Sequence, residues 1–263
     1  MTKVLVRGTG DVGSAVAHVL HRAGYEVVLH DEPRPAHSRR GMAFTDALFD
    51  GVASLEGVLA KRTRRFDSLE PMLQCRRAIP IVDEPFQGVL EALRPQVLVD
   101  ARMRKRAHPE SQRGLAALTI GLGPNFVAAL NADLVIETAW GDELGTVKRA
   151  GGARPLSGDP NPIEGHSRDR FVYAPSAGRF RTRRSIGDRV ERGDPIGTID
   201  GLALPAPLSG VIRGLVHDGV EVSQGAKLVE VDPRGEPGAG YGLGERPKRI
   251  ATGVLRALQE SGF

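Results

Sequence analysis

One passage in the second half of this chain occurs twice. APSAGRFRTRRSIGDRVERGDPIGTI begins at Ala174 and APLSGVIRGLVHDGVEVSQGAKLVEV at Ala206, an offset of 32 residues with no gap. Pro175 meets Pro207, Gly178 meets Gly210, Gly187 meets Gly219 and Gly193 meets Gly225, while Val190 and Ile196 meet Val222 and Leu228. Each copy reads as short strands punctuated by glycine turns, and neither buries an apolar face alone. The pair therefore predicts a small all-β module over residues 170–234, a β-sandwich or flattened barrel closed by two interlocking copies.

The first half reads differently. Short apolar runs at Lys3–Arg7, Tyr25–His30, Ile79–Val82, Gln96–Ala101, Ala117–Gly121 and Leu134–Glu137 alternate with helical spacing at Val12–Arg22 and Phe86–Leu93. Such alternation predicts an α/β domain over 1–150, with a mostly parallel sheet of the Rossmann-like kind. Val52–Lys61 reads as an inserted hairpin. Residues 151–169, dense in Gly, Pro, Ser and Asp, predict a linker. After the repeat, residues 235–263 predict a Gly-rich turn and a helix whose stripe of Ile250, Val254, Leu255 and Leu258 packs on the first domain.

The sharpest chemical motif is Gly8-Thr9-Gly10-Asp11-Val12-Gly13, directly after a strand and opening a helix. Glycines here permit a tight turn and a close approach of pyrophosphate to the backbone, and the helix N-terminus favours an anion. Asp31, at the end of the next strand, stands where a ribose hydroxyl is held. A βα turn without a ligand has the same appearance, and Asp11 repels a phosphate unless it caps the helix facing away. A second turn, Gly121-Leu122-Gly123-Pro124-Asn125-Phe126, leaves another strand at the same edge, where either a ligand crevice or an ordinary turn fits. Asp100 to Arg106 also leaves a strand, and Arg102, Lys105 and Arg106 are candidate phosphate partners.

Composition narrows the rest. The net charge is +4, with arginine far outnumbering lysine, but aromatics are only 5%, too few to stack bases, so no nucleic-acid partner is expected. No apolar run reaches membrane-spanning length and the N-terminus lacks a signal-like apolar segment, so a cytoplasmic, soluble protein is expected. The lone Cys75 makes no internal disulfide, and His18 and His21 lack a third ligand in sequence, so no metal site is expected. GxSxG, GxxxxGK[ST] and HExxH are all absent, and no catalytic residue is assigned.

Two resemblances add to this reading. The repeat, with its APxxG…GDxVxxG grammar, resembles the barrel-sandwich hybrid, or hammerhead, of biotinyl and lipoyl carrier domains. Asp200-Gly201-Leu202-Ala203 fills the hairpin where those carriers hold their lysine, and no lysine occurs between Lys148 and Lys227, so neither biotin nor lipoate is expected. Over the whole chain, VRGTGD, AGYEVVLHDEPRPAHSRR, FDGVASLEGV, RPQVLVDAR, IGLGPNF, VIETAWGDELG, YAPSAGRF, APLSGVIRGL and GVLRAL resemble the selenium-dependent molybdenum hydroxylase system proteins of the YqeB type. That resemblance implies an accessory role in maturing a molybdenum hydroxylase, with that enzyme or other maturation factors as partners. Gly8, Gly10, Asp11, Asp31, Arg39, Arg40, Asp100, Lys105, Gly121, Gly123 and Glu137 match its motif positions. The expected ligand is a dinucleotide, NAD(P) or a molybdopterin dinucleotide, held by Gly8, Gly10, Asp11, Gly13, Asp31, Arg39, Arg40, Lys105, Gly121, Gly123 and Asn125. An NAD(P)-dependent oxidoreductase and a non-enzymatic docking scaffold are the alternatives, and a homo-oligomer is left open.

Overall fold

A computed structural model describes residues 1–104, 108–155 and 160–263. Two compact units emerge. Unit 1 comprises Met1–Pro33, Ala43–Leu156 and Leu243–Phe263, and unit 2 comprises Arg34–Met42 and Ser157–Gly242. The division thus runs differently from the expected 1–150, 170–234 and 235–263. Arg34–Met42 leaves the first unit, and the tail divides at Gly242.

Among the described residues, unit 1 holds nine strands: β1 (Lys3–Arg7), β2 (Glu26–His30), β3 (Val52–Leu55), β4 (Val58–Arg62), β5 (Ile79–Val82), β6 (Val97–Asp100), β7 (Leu118–Leu122), β8 (Leu134–Ile136) and β9 (Val147–Lys148). They form one sheet in the order β3-β4-β5-β2-β1-β6-β7-β8-β9. β5, β6, β7 and β8 are buried along their whole length, as strands covered on both faces must be. Its helices are α1 (Asp11–Arg22), α2 (Ala47–Asp50), α3 (Leu69–Cys75), α4 (Phe86–Leu93) and α5 (Glu245–Glu260). Val12, Ala15, Val16 and Leu20 of α1 share one apolar core with Ile250, Val254, Ala257 and Leu258 of α5, and Val89, Leu90 and Leu93 of α4 join Leu69 and Leu73 of α3 in another.

The expected fold class is corrected here. The sheet is mixed: β3 pairs antiparallel with β4 and β9 antiparallel with β8, closing both edges with reversed strands. Strand–helix alternation also stops at β6, because among the described residues the β6–β7 and β7–β8 connections hold no helix. The reason lies partly in Pro124-Asn125. Asn125 adopts φ +72°, a left-handed conformation that ends a turn and cannot start a helix. Nor does unit 2 match an independent module of residues 170–234.

Unit 2 holds β10 (Phe171–Tyr173), β11 (Gly178–Arg181), β12 (Arg189–Val190), β13 (Pro195–Ile199), β14 (Leu202–Pro205), β15 (Gly210–Leu215), β16 (Glu221–Val222) and β17 (Lys227–Asp232). Two four-stranded sheets result, β10-β17-β15-β12 and β14-β13-β11-β16. The sequence repeat maps strand onto strand: exchanging β10–β13 with β14–β17 turns one sheet order into the other. Gly178 of β11 pairs with Val222 of β16, and Val190 of β12 pairs with Gly210 of β15, the same contact 32 positions on. Gly178 and Gly210 both need their positive φ (156° and 159°), and a Cβ at either would fall within 2.3 Å of Asp200 or of the Asp232 carbonyl. Arg34–Met42 completes this unit, with Leu215 N–H donating to Ser38 O at 2.6 Å and Arg40 Nε donating to Leu215 O at 2.7 Å.

Candidate functional site

The C-terminal ends of β1, β2, β6 and β7 carry most of the chemistry in unit 1. Gly8 leaves β1 with φ +106° and donates its N–H to His30 O at 2.7 Å. A Cβ on Gly8 would lie 2.8 Å from Ala101 O, and one on Gly13 only 2.0 Å from Gly8 O, so both glycines are required by close backbone approach. Gly10 is the residue before α1 and offers no side-chain cap. The Asp11 carboxylate accepts the Val12 N–H at 2.9 Å, so this acid lies along the helix start. Ser14 N–H makes the first intrahelical bond, to Gly10 O at 2.8 Å.

Asp31 turns inward on the same turn. Its Oδ2 accepts both the Thr9 N–H and the Thr9 hydroxyl at 2.7 Å, and its Oδ1 accepts Glu32 N–H at 2.9 Å. Thr9 is fully buried, and its carbonyl accepts the hydroxyls of Ser14 and Thr45. Asp31 is therefore a brace for the glycine turn in this structure.

Beside this turn stand two arginines. Arg7, the last residue of β1, is 5% exposed, with its guanidinium over the Phe86 ring at 3.6 Å and its Nη1 donating to Glu110 at 3.0 Å and Gln112 at 2.9 Å. Arg102 follows β6. Its Nε donates to the buried Asp100 at 3.0 Å, and its Nη2 reaches Glu110 at 2.7 Å. The missing Cβ of Gly8 would sit 3.0 Å from Arg102 Cα, so the Arg102 backbone packs on the glycine turn, while the Arg7 side chain lies over Phe86 at the start of α4. Burial pushes the Glu110 carboxyl up, but its own backbone N–H, Arg102 and Arg7 together outweigh that and hold it at about 2. Burial likewise holds the His30 imidazole, 5.5 Å from Phe86, below its usual pKa and favours the neutral ring.

The second glycine turn is closed on itself. A Cβ on Gly121 would lie 2.2 Å from the Phe126 ring, which occupies that position. Gly123 has φ +90°, and Asn131 ties the turn by donating to Asn125 O and accepting from Val127 N–H. Beside it lies a shallow cleft of about 270 Å³, counting space open to solvent, lined by Arg102, Met103, Arg104, Pro109, Leu122 and Pro124 among others.

The remaining sequence candidates separate. Gly8, Gly10, Asp11, Gly13 and Asp31 form one turn, and Gly121, Gly123 and Asn125 form another. Arg39 and Arg40 belong to unit 2, where Arg39 makes a two-pronged pair with the fully buried Glu230 at 2.8 and 3.2 Å and Arg40 bonds Leu215 O. Lys105 and Arg106 lie outside the described residues. Glu137 is buried and accepts the backbone N–H groups of Thr138, Ala139 and Arg154, all at 2.8 Å, so it anchors the chain beyond β8.

Sequence reasoning missed Arg7, Thr9 and Glu110. A signal existed for Arg7, a charge ending an apolar strand next to the first glycine. Glu110 carries none, since it lies in a loop without periodicity.

No known family profile matches this chain. It is similar to the uncharacterized protein YqeB of Escherichia coli (strain K12), with 38% identity over 256 residues. That alignment takes in 97% of this chain and 47% of YqeB, so the chain spans about half the length of the curated relative it matches. The likeness to the YqeB type thus runs through nearly the whole of this sequence. Among solved structures it shows low similarity to an aspartoacylase family protein from Mesorhizobium loti, at 10% identity over 88% of this chain and 85% of that one, with a TM-score of 0.26. The ectoine utilization protein EutE (DoeB) from Ruegeria pomeroyi gives 12% identity, 88% and 86% coverage and a TM-score of 0.27. Among the described residues no helix is long and apolar enough to cross a membrane.

Proposed function

We propose that this protein is a cytoplasmic accessory factor in molybdenum hydroxylase maturation, which holds a phosphate-bearing, dinucleotide-type ligand and presents it to a client enzyme. The observation that carries the ligand reading is the Gly8–Gly13 turn: a left-handed Gly8 packed on the Arg102 backbone, a Gly13 packed on the Gly8 carbonyl and an uncapped Gly10 before α1, with Arg7 and Arg102 at the ends of the neighbouring strands. Helix-start amides and guanidinium groups together suit a phosphate. Asp31 then serves this site by holding Thr9. The maturation role comes from the motif resemblance.

Gly10 has φ −66°, open to any residue, so Gly10→Val leaves the backbone in place while setting two methyl groups over the turn. Wild-type protein offered NAD, NADP and molybdopterin dinucleotides is expected to retain one of them in native mass spectrometry, and Gly10→Val to lose it. In a host lacking this protein, molybdenum hydroxylase activity is expected to fall without loss of the hydroxylase polypeptide. A wild type that retains none of the panel refutes the ligand reading, and fully active hydroxylases in the deletion host refute the maturation role. Turnover of NAD(P)H with a small carbonyl substrate would promote an oxidoreductase instead.

A further inference from the structure

Glu110 is an exposed acid in an unusual place. Its side chain is 52% exposed, yet one carboxylate oxygen bridges Arg7 and Arg102, at 3.0 and 2.7 Å. Both arginines are largely withdrawn from solvent, with side chains 6% and 11% exposed. Arg7 Nε is buried with no hydrogen-bond partner among the described residues. Asp100, itself buried, remains as a permanent counter-ion, bonded to Arg102 and 3.8 Å from Arg7. Two guanidinium groups aimed at one oxygen, at the C-terminal ends of β1 and β6, form a receptor for an oxyanion. Glu110 reaches that position from a loop, with half its side chain in water, so it can leave without opening the core.

We propose that Arg7 and Arg102 form a phosphate-binding pair which Glu110 fills in this structure, and that a phosphate or pyrophosphate group of the incoming ligand takes the place of the Glu110 carboxylate. This deepens the ligand reading above and rests on it for the ligand class. The pair itself is tested separately with inorganic pyrophosphate, whereas the dinucleotide panel tests the reading.

Glu110→Gln removes the internal anion and keeps the side chain's size. Titration calorimetry with pyrophosphate is expected to give binding about tenfold tighter or more than wild type, since charge-assisted hydrogen bonds replace an occupied site. Glu32→Gln is the control. It removes an equal charge after β2, where Glu32 pairs with the exposed Arg104, and is expected to leave the affinity near wild type. Adding Arg102→Ala to Glu110→Gln is expected to erase the gain. Equal affinity of Glu110→Gln and wild type, including no binding by either, overturns the proposal. So does an equal gain in Glu32→Gln, which would mean simple relief of negative charge. If a melt shows that Glu110→Gln does not fold, the arginine Nε–Hε signals of the wild type decide. Arg7 and Arg102 are expected to shift on adding pyrophosphate, and unmoved signals at the highest concentration overturn the pair.

Discussion

Replacing Glu230 by glutamine tests the electrostatics of unit 2 most directly. Glu230 is fully buried on β17 and is held by Arg39, by Arg170 in a very short contact, and by Arg213 at 3.6 Å. Burial pushes its carboxyl up, but the three arginines prevail and hold it at about 2, against the usual 4.5. A carboxyl displaced that far contributes about 3 kcal/mol to stability at neutral pH. Because the folded value lies below the unfolded one, this contribution is complete above about pH 4.5 and is lost as the pH falls towards 2. Glu230→Gln also strands Arg170, whose side chain is only 3% exposed, and breaking a buried pair in this way costs about 3–5 kcal/mol. At roughly 2–4 °C per kcal/mol for a chain of this size, the melting temperature at neutral pH should fall by roughly 6–20 °C. The single tryptophan, Trp140, lies in unit 1, so far-ultraviolet circular dichroism is the appropriate probe for unit 2. A variant melting within about 2 °C of wild type, below the roughly 2–4 °C expected from even one kcal/mol, refutes the reasoning. A difference that stays constant between neutral and strongly acid pH refutes it equally.

Two further expectations concern the glycine turn. Gly13→Ala drives a methyl to 2.0 Å from the Gly8 carbonyl and forces the backbone apart; overpacking of this kind costs about 1–3 kcal/mol, read as a lower denaturation midpoint in Trp140 fluorescence, and an unchanged midpoint counts against the packing role. Asp31→Ala removes the acceptor for two Thr9 donors, at a cost of about 1–3 kcal/mol, and is expected to speed hydrogen exchange at the Thr9 amide; unchanged exchange there would show that Asp31 is no brace.

Local structure was legible where the chain states it locally. KVLVR, the helix after GTGDVG and FQGVLEAL read from apolar spacing, because a buried face imposes its period on the element whichever neighbours complete the core. The repeat was also legible, and the structure extends it backwards to β10, whose partner β14 shares no obvious sequence with it. The fold class was not. Reversed edge strands and helix-free connections depend on which segment closes a sheet, and a left-handed Asn125 is invisible to spacing. The site was half legible. Gly8 and Gly13 declared themselves, whereas the destination of Asp31, inward to Thr9, required knowing where a hydroxyl would point. Arg39 enters the expected ligand set beside Arg40 through the resemblance, and nothing local corrects it because its acid, Glu230, is 191 residues away. The symmetry also hides this pair, since the position equivalent to Glu230 in the first copy is Thr198, and among the described residues one of the two sheets carries a buried charge cage.

The strand exchange in unit 2 has a consequence for what a single copy is. Each sheet takes two strands from β10–β13 and two from β14–β17, so neither copy owns a complete sheet. Folding of this unit is therefore an association reaction in disguise, in which the tight Asp200-Gly201 hairpin supplies the concentration. Short tethers of this kind act as millimolar local concentrations, on the order of what two weakly complementary fragments need to stay paired. Cut at that hairpin, the same contacts would have to be bought from bulk solution, and stability would come to depend on how much protein is present. A lone copy could close these sheets only with a twin, as a homodimer whose twofold axis survives here as the relation between residue n and residue n + 32.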